Sequence, residues 1–304
     1  MARHDNFDIK RKQRWIPVAL LLLSITAAAA ESPVERGRYL VNGILACGNC
    51  HTPKDAEGHP IPGKELAGGG ITLDLFPFAG TAPNITPDRA TGIGNWSAQE
   101  IKAAITRGER PNHGRLAGQA LGIPMWVNFY KALLPADLDA VVAYLRSVPA
   151  VHNVIPPPTR SLPVPRDIYP DAEAGFSERD LLNPVRRGAY LAAIGHCMEC
   201  HTPMRLGTTL YEQALGAGGK AFTPAMVRGL PSNWPGVVAP NVTAHPDAGL
   251  GRWQDAEIKR AIAEGIGRDG RKLQPPMAFD WYRNLSSADL DAIVSWLRTL
   301  PAKP

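Results

Sequence analysis

Apolar positions recur at helical spacing in several segments of the chain. Leu138, Val141, Val142 and Leu145 form one stripe, and Leu290, Ile293, Val294 and Leu297 form another. Ile101, Ala104 and Ile105 mark an amphipathic helix that Ser97-Ala98-Gln99-Glu100 caps at its start and Gly108 ends. Ser32-Pro33-Val34-Glu35 is a second capping box, with Pro at the first helical position, and predicts a helix over 33–44. Asn183-Pro184 predicts its counterpart later in the chain. Strand alternation is confined to a short apolar piece around Ile71–Phe78. The pattern therefore predicts a mainly α protein. Residues 15–30 stand apart: they are apolar and uncharged, follow a basic stretch and end in Ala28-Ala29-Ala30. This is the order of a secretory signal, and sixteen residues fall short of the ~20 that span a bilayer. A cleaved signal peptide over 1–30 is expected, with an uncleaved anchor as the alternative.

The helical stripes are two copies of one pattern. RGRYLVNGILACGNCHTP (36–53) matches RGAYLAAIGHCMECHTP (187–203), and APNITPDRATGIGNWSAQEIKAAI (82–105) matches APNVTAHPDAGLGRWQDAEIKRAI (239–262). LPADLDAVVAYLRSVPA (134–150) matches SSADLDAIVSWLRTLPA (286–302), in the same order. Two domains are expected, over 31–150 and 181–304, joined by a Pro-rich linker over 151–180. Six Pro within 151–170 fit either a semi-rigid spacer or a surface strap packed on both domains.

Charge excludes one class of partner. The chain of 304 residues carries +5, but its first 30 residues hold Arg3, Lys10, Arg11, Lys12 and Arg14 against Asp5 and Asp8, so the rest carries only +2. The basic balance belongs largely to the N-terminus and does not argue for nucleic acid.

Export would favour disulfides, yet the four cysteines fall into two identical arrangements: Cys47-Gly48-Asn49-Cys50-His51 and Cys197-Met198-Glu199-Cys200-His201. C-x-x-C-H is the attachment signature of a c-type haem. Two thiols one helical turn apart reach the two vinyl groups of one porphyrin, and the next residue, His, lies under the iron. Two disulfides would leave both histidines unexplained. A zinc ribbon wants pairs about 15–20 residues apart, whereas Cys50 and Cys197 lie 147 positions apart. Two covalently bound haem c groups are expected.

A six-coordinate iron needs a second axial ligand, and Met with His gives a raised potential. Met198 and Met204 lie too close to the second motif to reach the opposite face. Met125 and Met277 each follow Pro, hold equivalent places in the repeat, and lie 74 and 76 residues after His51 and His201. They are the expected ligands; Met226 has no counterpart and reads as packing. His113 and His245 lack repeat partners, and His59, His152 and His196 read as surface or loop residues. Trp96 and Trp253 are equivalent and read either as core or as indole donors to a porphyrin carboxylate. Asn84 and Asn241 fit a glycosylation sequon but read as loop polar groups.

C-x-x-C-H-T-P with A-P-N-I-T-P-D…T-G-I-G-N-W-S and a Pro-Met loop resembles the cytochrome c domains in cytochrome subunits of bacterial membrane-associated alcohol, aldehyde and gluconate dehydrogenases. The resemblance covers both copies. It implies two tandem class I cytochrome c domains, each wrapped on one haem, with Cys47, Cys50, His51 and Met125 on one and Cys197, Cys200, His201 and Met277 on the other. It implies a periplasmic carrier, without a catalytic residue of its own. Electrons would come from a periplasmic or membrane-associated dehydrogenase and go to a cytochrome, the quinone pool or a terminal oxidase. Those subunits typically have three haem motifs and this sequence has two, which favours a cytochrome or oxidase over quinone. Two alternatives remain: a dihaem enzyme of peroxidase or thiosulfate-oxidising type with one open iron, and an anchored haem subunit of a terminal oxidase.

Overall fold

In a computed structural model, the described residues are 1, 31–114, 117, 121–122, 125–162 and 166–304. The expected export signal over 1–30 lies, apart from Met1, outside them. Ser32 starts helix α1 (Pro33–Asn42) with the predicted capping box: its hydroxyl accepts the Glu35 N–H, and the Glu35 carboxylate accepts the Ser32 N–H. Asn183 caps α7 (Pro184–Ile194) in one direction, its side-chain oxygen accepting the Arg186 N–H. Between them the first repeat supplies α2 (Cys47–His51), α3 (Ala98–Arg107), α4 (Val127–Tyr130) and α5 (Pro135–Ser147). A short α6 (Pro170–Ala174) precedes the second repeat. There, α8 (Cys197–His201), α9 (Tyr211–Ala214), α10 (Asp255–Glu264), α11 (Phe279–Tyr282) and α12 (Ser287–Leu297) complete the helices among the described residues. The cap at Ser97 and the left-handed stop at Gly108 lie where the sequence puts them.

In each repeat the first helix crosses the last at backbone contact. Gly37 and Gly188 make this possible: a Cβ on either would lie 1.9 Å from the carbonyl oxygen of Ala140 or Ala292. Beside each crossing, an arginine of the first helix reaches an aspartate of the last. The Arg36 guanidinium donates two bonds to Asp137 at 2.7 and 3.0 Å, and Arg187 donates to Asp289 at 2.6 Å.

Each of these buried carboxylates also accepts a hydroxyl from the opposite repeat. Tyr190 donates to Asp137 and Tyr39 donates to Asp289, both at 2.5 Å. The two tyrosines hold the same place in the repeat, so the exchange is reciprocal. The copies face each other as an isologous pair within one chain. One apolar cluster runs through both, including Leu40, Val41, Ile44 and Phe129 of the first and Tyr190, Leu191, Ile194 and Ile293 of the second. Residues from Ser32 to Pro304 form one compact unit.

The strands exceed expectation. The apolar piece near Ile71–Phe78 is a hairpin, β1 (Thr72–Leu75) with β2 (Phe78–Thr81). It joins β3 (Arg160–Ser161) on one side and β7 (Val227–Arg228) of the second repeat on the other, giving the order β3-β2-β1-β7. A hairpin of β4 (Met204–Arg205) with β5 (Thr208–Thr209) and a two-stranded sheet of β6 (Ala221–Phe222) with β8 (Val237–Val238) lie in the second repeat. The segment after residue 150 lies against the first repeat. Val151 O accepts from Asn84, Thr159 N–H donates to Ala79 O, and Asn128 donates to Asp167 O. Tyr169 stacks on Phe129 at 4.6 Å, and the Asp167 carboxylate accepts the Thr209 N–H of the second repeat.

Candidate haem sites

Each C-x-x-C-H stretch is one turn of helix, α2 or α8. The residue before each is in the left-handed region, Ala46 at φ 46° and His196 at φ 45°. That sparsely populated conformation costs about 1–3 kcal/mol and turns the chain sharply out of the preceding helix. The two cysteines of a turn are at i and i+3 and share a face. Burial pushes the thiols of Cys47, Cys197 and Cys200 up to about 12, and raises Cys50 as well. All four are out of disulfides. Free thiols, two to a turn, are the donor set that covalent attachment to a porphyrin requires.

The histidines carry a matching signature. His51 Nδ1 lies 2.7 Å from Pro83 O, and His201 Nδ1 lies 2.8 Å from Pro240 O. A carbonyl only accepts, so Nδ1 holds the proton and Nε2 is left with its lone pair for a metal. Burial lowers the pKa of both rings, which favours the neutral form a metal needs. The next residues fix the carbonyls in place. Asn84 donates to Val151 O and Asn241 to Lys303 O, while their oxygens accept from Thr86 and Thr243. Asn84 and Asn241 are thus loop stitches that close the end of each repeat. The residues present fit two haem groups.

The turns that follow Met125 and Met277 match. Val127 N–H donates to Met125 O at 2.8 Å and Phe279 N–H to Met277 O at 3.0 Å. Both methionines are partly buried against the main core. Arg166 binds the Met125 loop through Met125 O at 2.7 Å and the carbonyls of Gly122 and Leu121. Asn49 donates to Pro276 O at 2.8 Å. Met198 is buried core, Met204 is exposed, and Met226 packs on the Ile71–Val227–Trp234 cluster that also touches Cys50.

The remaining candidates fall away from the motifs, with one exception. His113 pairs with Glu100, His59 with Asp55 and His152 with Asp88, while His245 Nδ1 accepts the Ala248 N–H. Trp96 and Trp253 pack on the core, and their carbonyls accept from Arg146 and Arg298. The exception is His196, read from sequence as a surface or loop residue. It lies between Trp126 at 5.6 Å and Tyr130 at 5.9 Å, and burial holds its imidazole down at about 4. It packs there because its left-handed turn sends the side chain into the opposite repeat.

The two motifs meet at the joint between the repeats. A Cβ on Gly195 would lie 2.8 Å from the Ile44 side chain, and one on Gly48 would lie 2.6 Å from the Trp281 indole nitrogen. Burial and the nearby sulfurs of Cys197, Cys200 and Cys50 all push the Tyr282 hydroxyl well above its ordinary value, so that ring lies close to both motifs.

Residues 34–149 and 185–301 each match the cytochrome c family model. The chain belongs to the cytochrome c family. It carries two covalently bound haem c groups, in agreement with one family match per repeat. Similar proteins include the gluconate 2-dehydrogenase cytochrome c subunit of Pantoea cypripedii, 29% identical over 94% of this chain and 65% of that protein. The fructose dehydrogenase cytochrome subunit of Gluconobacter japonicus is 42% identical over 38% of this chain and 22% of its own length. A diheme cytochrome c-type protein of Cereibacter sphaeroides is 38% identical over 39% of this chain and 36% of its own. This cytochrome thus spans less than two thirds of the length of these relatives.

Several residues of the cytochrome's sites lack a local sequence signal. Pro83 and Pro240 act through backbone oxygens, and Arg166 and Asn49 through distant partners. The register of Ala82-Pro83-Asn84 with Ala239-Pro240-Asn241 is the one signal that points to the first pair.

Proposed function

We propose that this protein is an exported dihaem electron carrier that takes electrons from a dehydrogenase and passes them toward the respiratory chain. Cys47 and Cys50 would attach the first haem and His51 and Met125 would hold its iron. Cys197, Cys200, His201 and Met277 would do the same for the second. When bound, each haem supplies a one-electron ferric–ferrous couple.

The chain's residues tune and protect that couple. The Pro83 and Pro240 carbonyls hold each imidazole in one tautomer and orientation, which raises its basicity toward the metal. The apolar shell disfavours the more charged oxidised form and raises the potential. The left-handed turns at Ala46 and His196 hold the two attachment helices in the joint.

The observation that carries this reading is the pairing of both Nδ1–H donations with the contact between the motifs across Ile44, Gly195, Gly48 and Trp281. Short separation favours electron passage between the groups. The cytochrome subunits among the relatives support a dehydrogenase as donor.

The test is peptide mass analysis and redox titration of the chain purified from a host able to mature c-type cytochromes. Haem mass on both the 47–51 and 197–201 peptides, with two one-electron steps, is expected. A disulfide within either pair, or zinc in place of haem, refutes the assignment. Sequencing the purified chain's first residue near Glu31 tests export.

A further inference from the structure

The repeats do not complete their sites alone. Asn49 lies inside the first attachment motif, yet its side-chain amide donates to the carbonyl of Pro276, the residue before Met277. Its oxygen accepts from Lys54 Nζ at 3.2 Å, and that ammonium lies 5.8 Å from the centre of the Trp281 ring. Trp281 in turn packs on the backbone of Gly48. One surface of the first motif, built from Gly48, Asn49 and Lys54, thus carries the segment from Pro276 to Trp281.

The second motif cannot return the favour. At the matching positions it has Met198, which is buried in the core, and Glu199. The Glu199 carboxylate is occupied by Lys220 at 2.5 Å and the Tyr211 hydroxyl at 2.7 Å. The Met125 loop is held instead by Arg166, from the strap. The two methionines are followed by matching turns but their loops have different anchors.

We propose that Asn49 is a positioning residue for the second iron's ligand: by fixing the Pro276 carbonyl it holds the Met277 loop closed, and so ties the second haem's coordination to the first haem's attachment turn. The proposal rests on Met277 being that ligand. Asn49 touches neither iron; it acts through one neutral hydrogen bond. Losing such a bond raises the open fraction of the loop about fivefold.

The test is an optical titration of the oxidised holoprotein with imidazole, which displaces methionine from ferric iron only when its loop opens. Loss of the methionine–iron charge-transfer band is followed, and the wild type gives one phase per haem. Met277→Ala identifies the second haem's phase by abolishing it. Asn49→Asp keeps the shape and the Lys54 partner but loses the donor; Asn49→Ala serves if that variant matures poorly. The expected result is about fivefold tighter imidazole binding in the phase that Met277→Ala removes, with the other phase unchanged. If that phase keeps its wild-type affinity, Asn49 does not position the loop, although Met277 remains the ligand. If both phases shift together, the effect is general loosening and the proposal fails. If Met277→Ala leaves both phases in place, the ligand assignment itself is wrong.

Discussion

Two hydroxyl bonds to buried carboxylates cross the joint between the repeats, and Tyr190→Phe removes one of them without changing shape. Tyr190 is 1% exposed, and its hydroxyl lies 2.5 Å from Asp137 Oδ2. Phenylalanine fills the same volume, so no cavity term arises. The loss is that of a hydrogen bond to a charged group, about 1.5–3 kcal/mol. Asp137 keeps both Arg36 bonds, so its charge stays paired and the cost stays near the middle of that range. For a domain of this size, about 2 kcal/mol lowers Tm by roughly 4–8 °C. The assay is guanidinium and thermal unfolding of the holoprotein, followed by circular dichroism, with the denaturant slope unchanged. Tyr39→Phe, removing the reciprocal bond to a less buried tyrosine, should cost less, and the double variant should be near additive because the bonds share no partner. A Tyr190→Phe protein within about 0.5 kcal/mol of wild type would refute the reasoning, since surface changes alone give that much.

Three further outcomes are expected. Gly188→Ala drives a Cβ into the Ala292 carbonyl at 1.9 Å, so holoprotein stability should drop by about 3 kcal/mol or more, or soluble yield should collapse; a variant as stable as wild type would contradict the close crossing. Alkaline pH should destabilise the fold. Burial raises Tyr190, Tyr169 and Tyr282 above the ordinary value near 10. Above about pH 10 the unfolded chain therefore releases protons that the folded chain retains, and stability should fall as pH rises. A flat stability profile between pH 9 and 11 (about one unit either side of that value) would oppose this. Met277→His should lower the potential of the second haem and leave the first near its wild-type value; an unchanged second potential would remove Met277 from the ligand set.

Local signals in the sequence were strong where the chain closes its own hydrogen bonds. The capping boxes at Ser32 and Ser97, the Asn183 cap and the Gly108 stop were legible because each satisfies orphan backbone groups within one turn. The stripes on α5 and α12 were legible for the same local reason. What escaped is non-local. β1 shows in the sequence as the apolar piece near Ile71–Phe78, but the pairing of its hairpin with β7 spans about 150 positions. His196 lies in a turn, as the sequence suggests, but the packing of its ring escapes it because the left-handed backbone decides where that ring goes. The tyrosine–aspartate exchange was hidden inside a visible repeat: R-G-x-Y-L and A-D-L-D occur twice, but self-comparison does not reveal that they pair crosswise. The candidate ligands were legible from C-x-x-C-H and the Pro-Met register, whereas Asn49, Arg166 and the two proline carbonyls act through contacts that only the fold assembles.

The most direct test of the carrier account is the optical spectrum of the reduced, purified protein before and after carbon monoxide, with haem counted per chain. Carbon monoxide binds where an iron position is open or weakly held. Two haems per chain and an unchanged spectrum are the predicted result, because His51 with Met125 and His201 with Met277 would fill both irons. A shift in one haem would reveal an accessible iron and contradict the account in favour of a catalytic site.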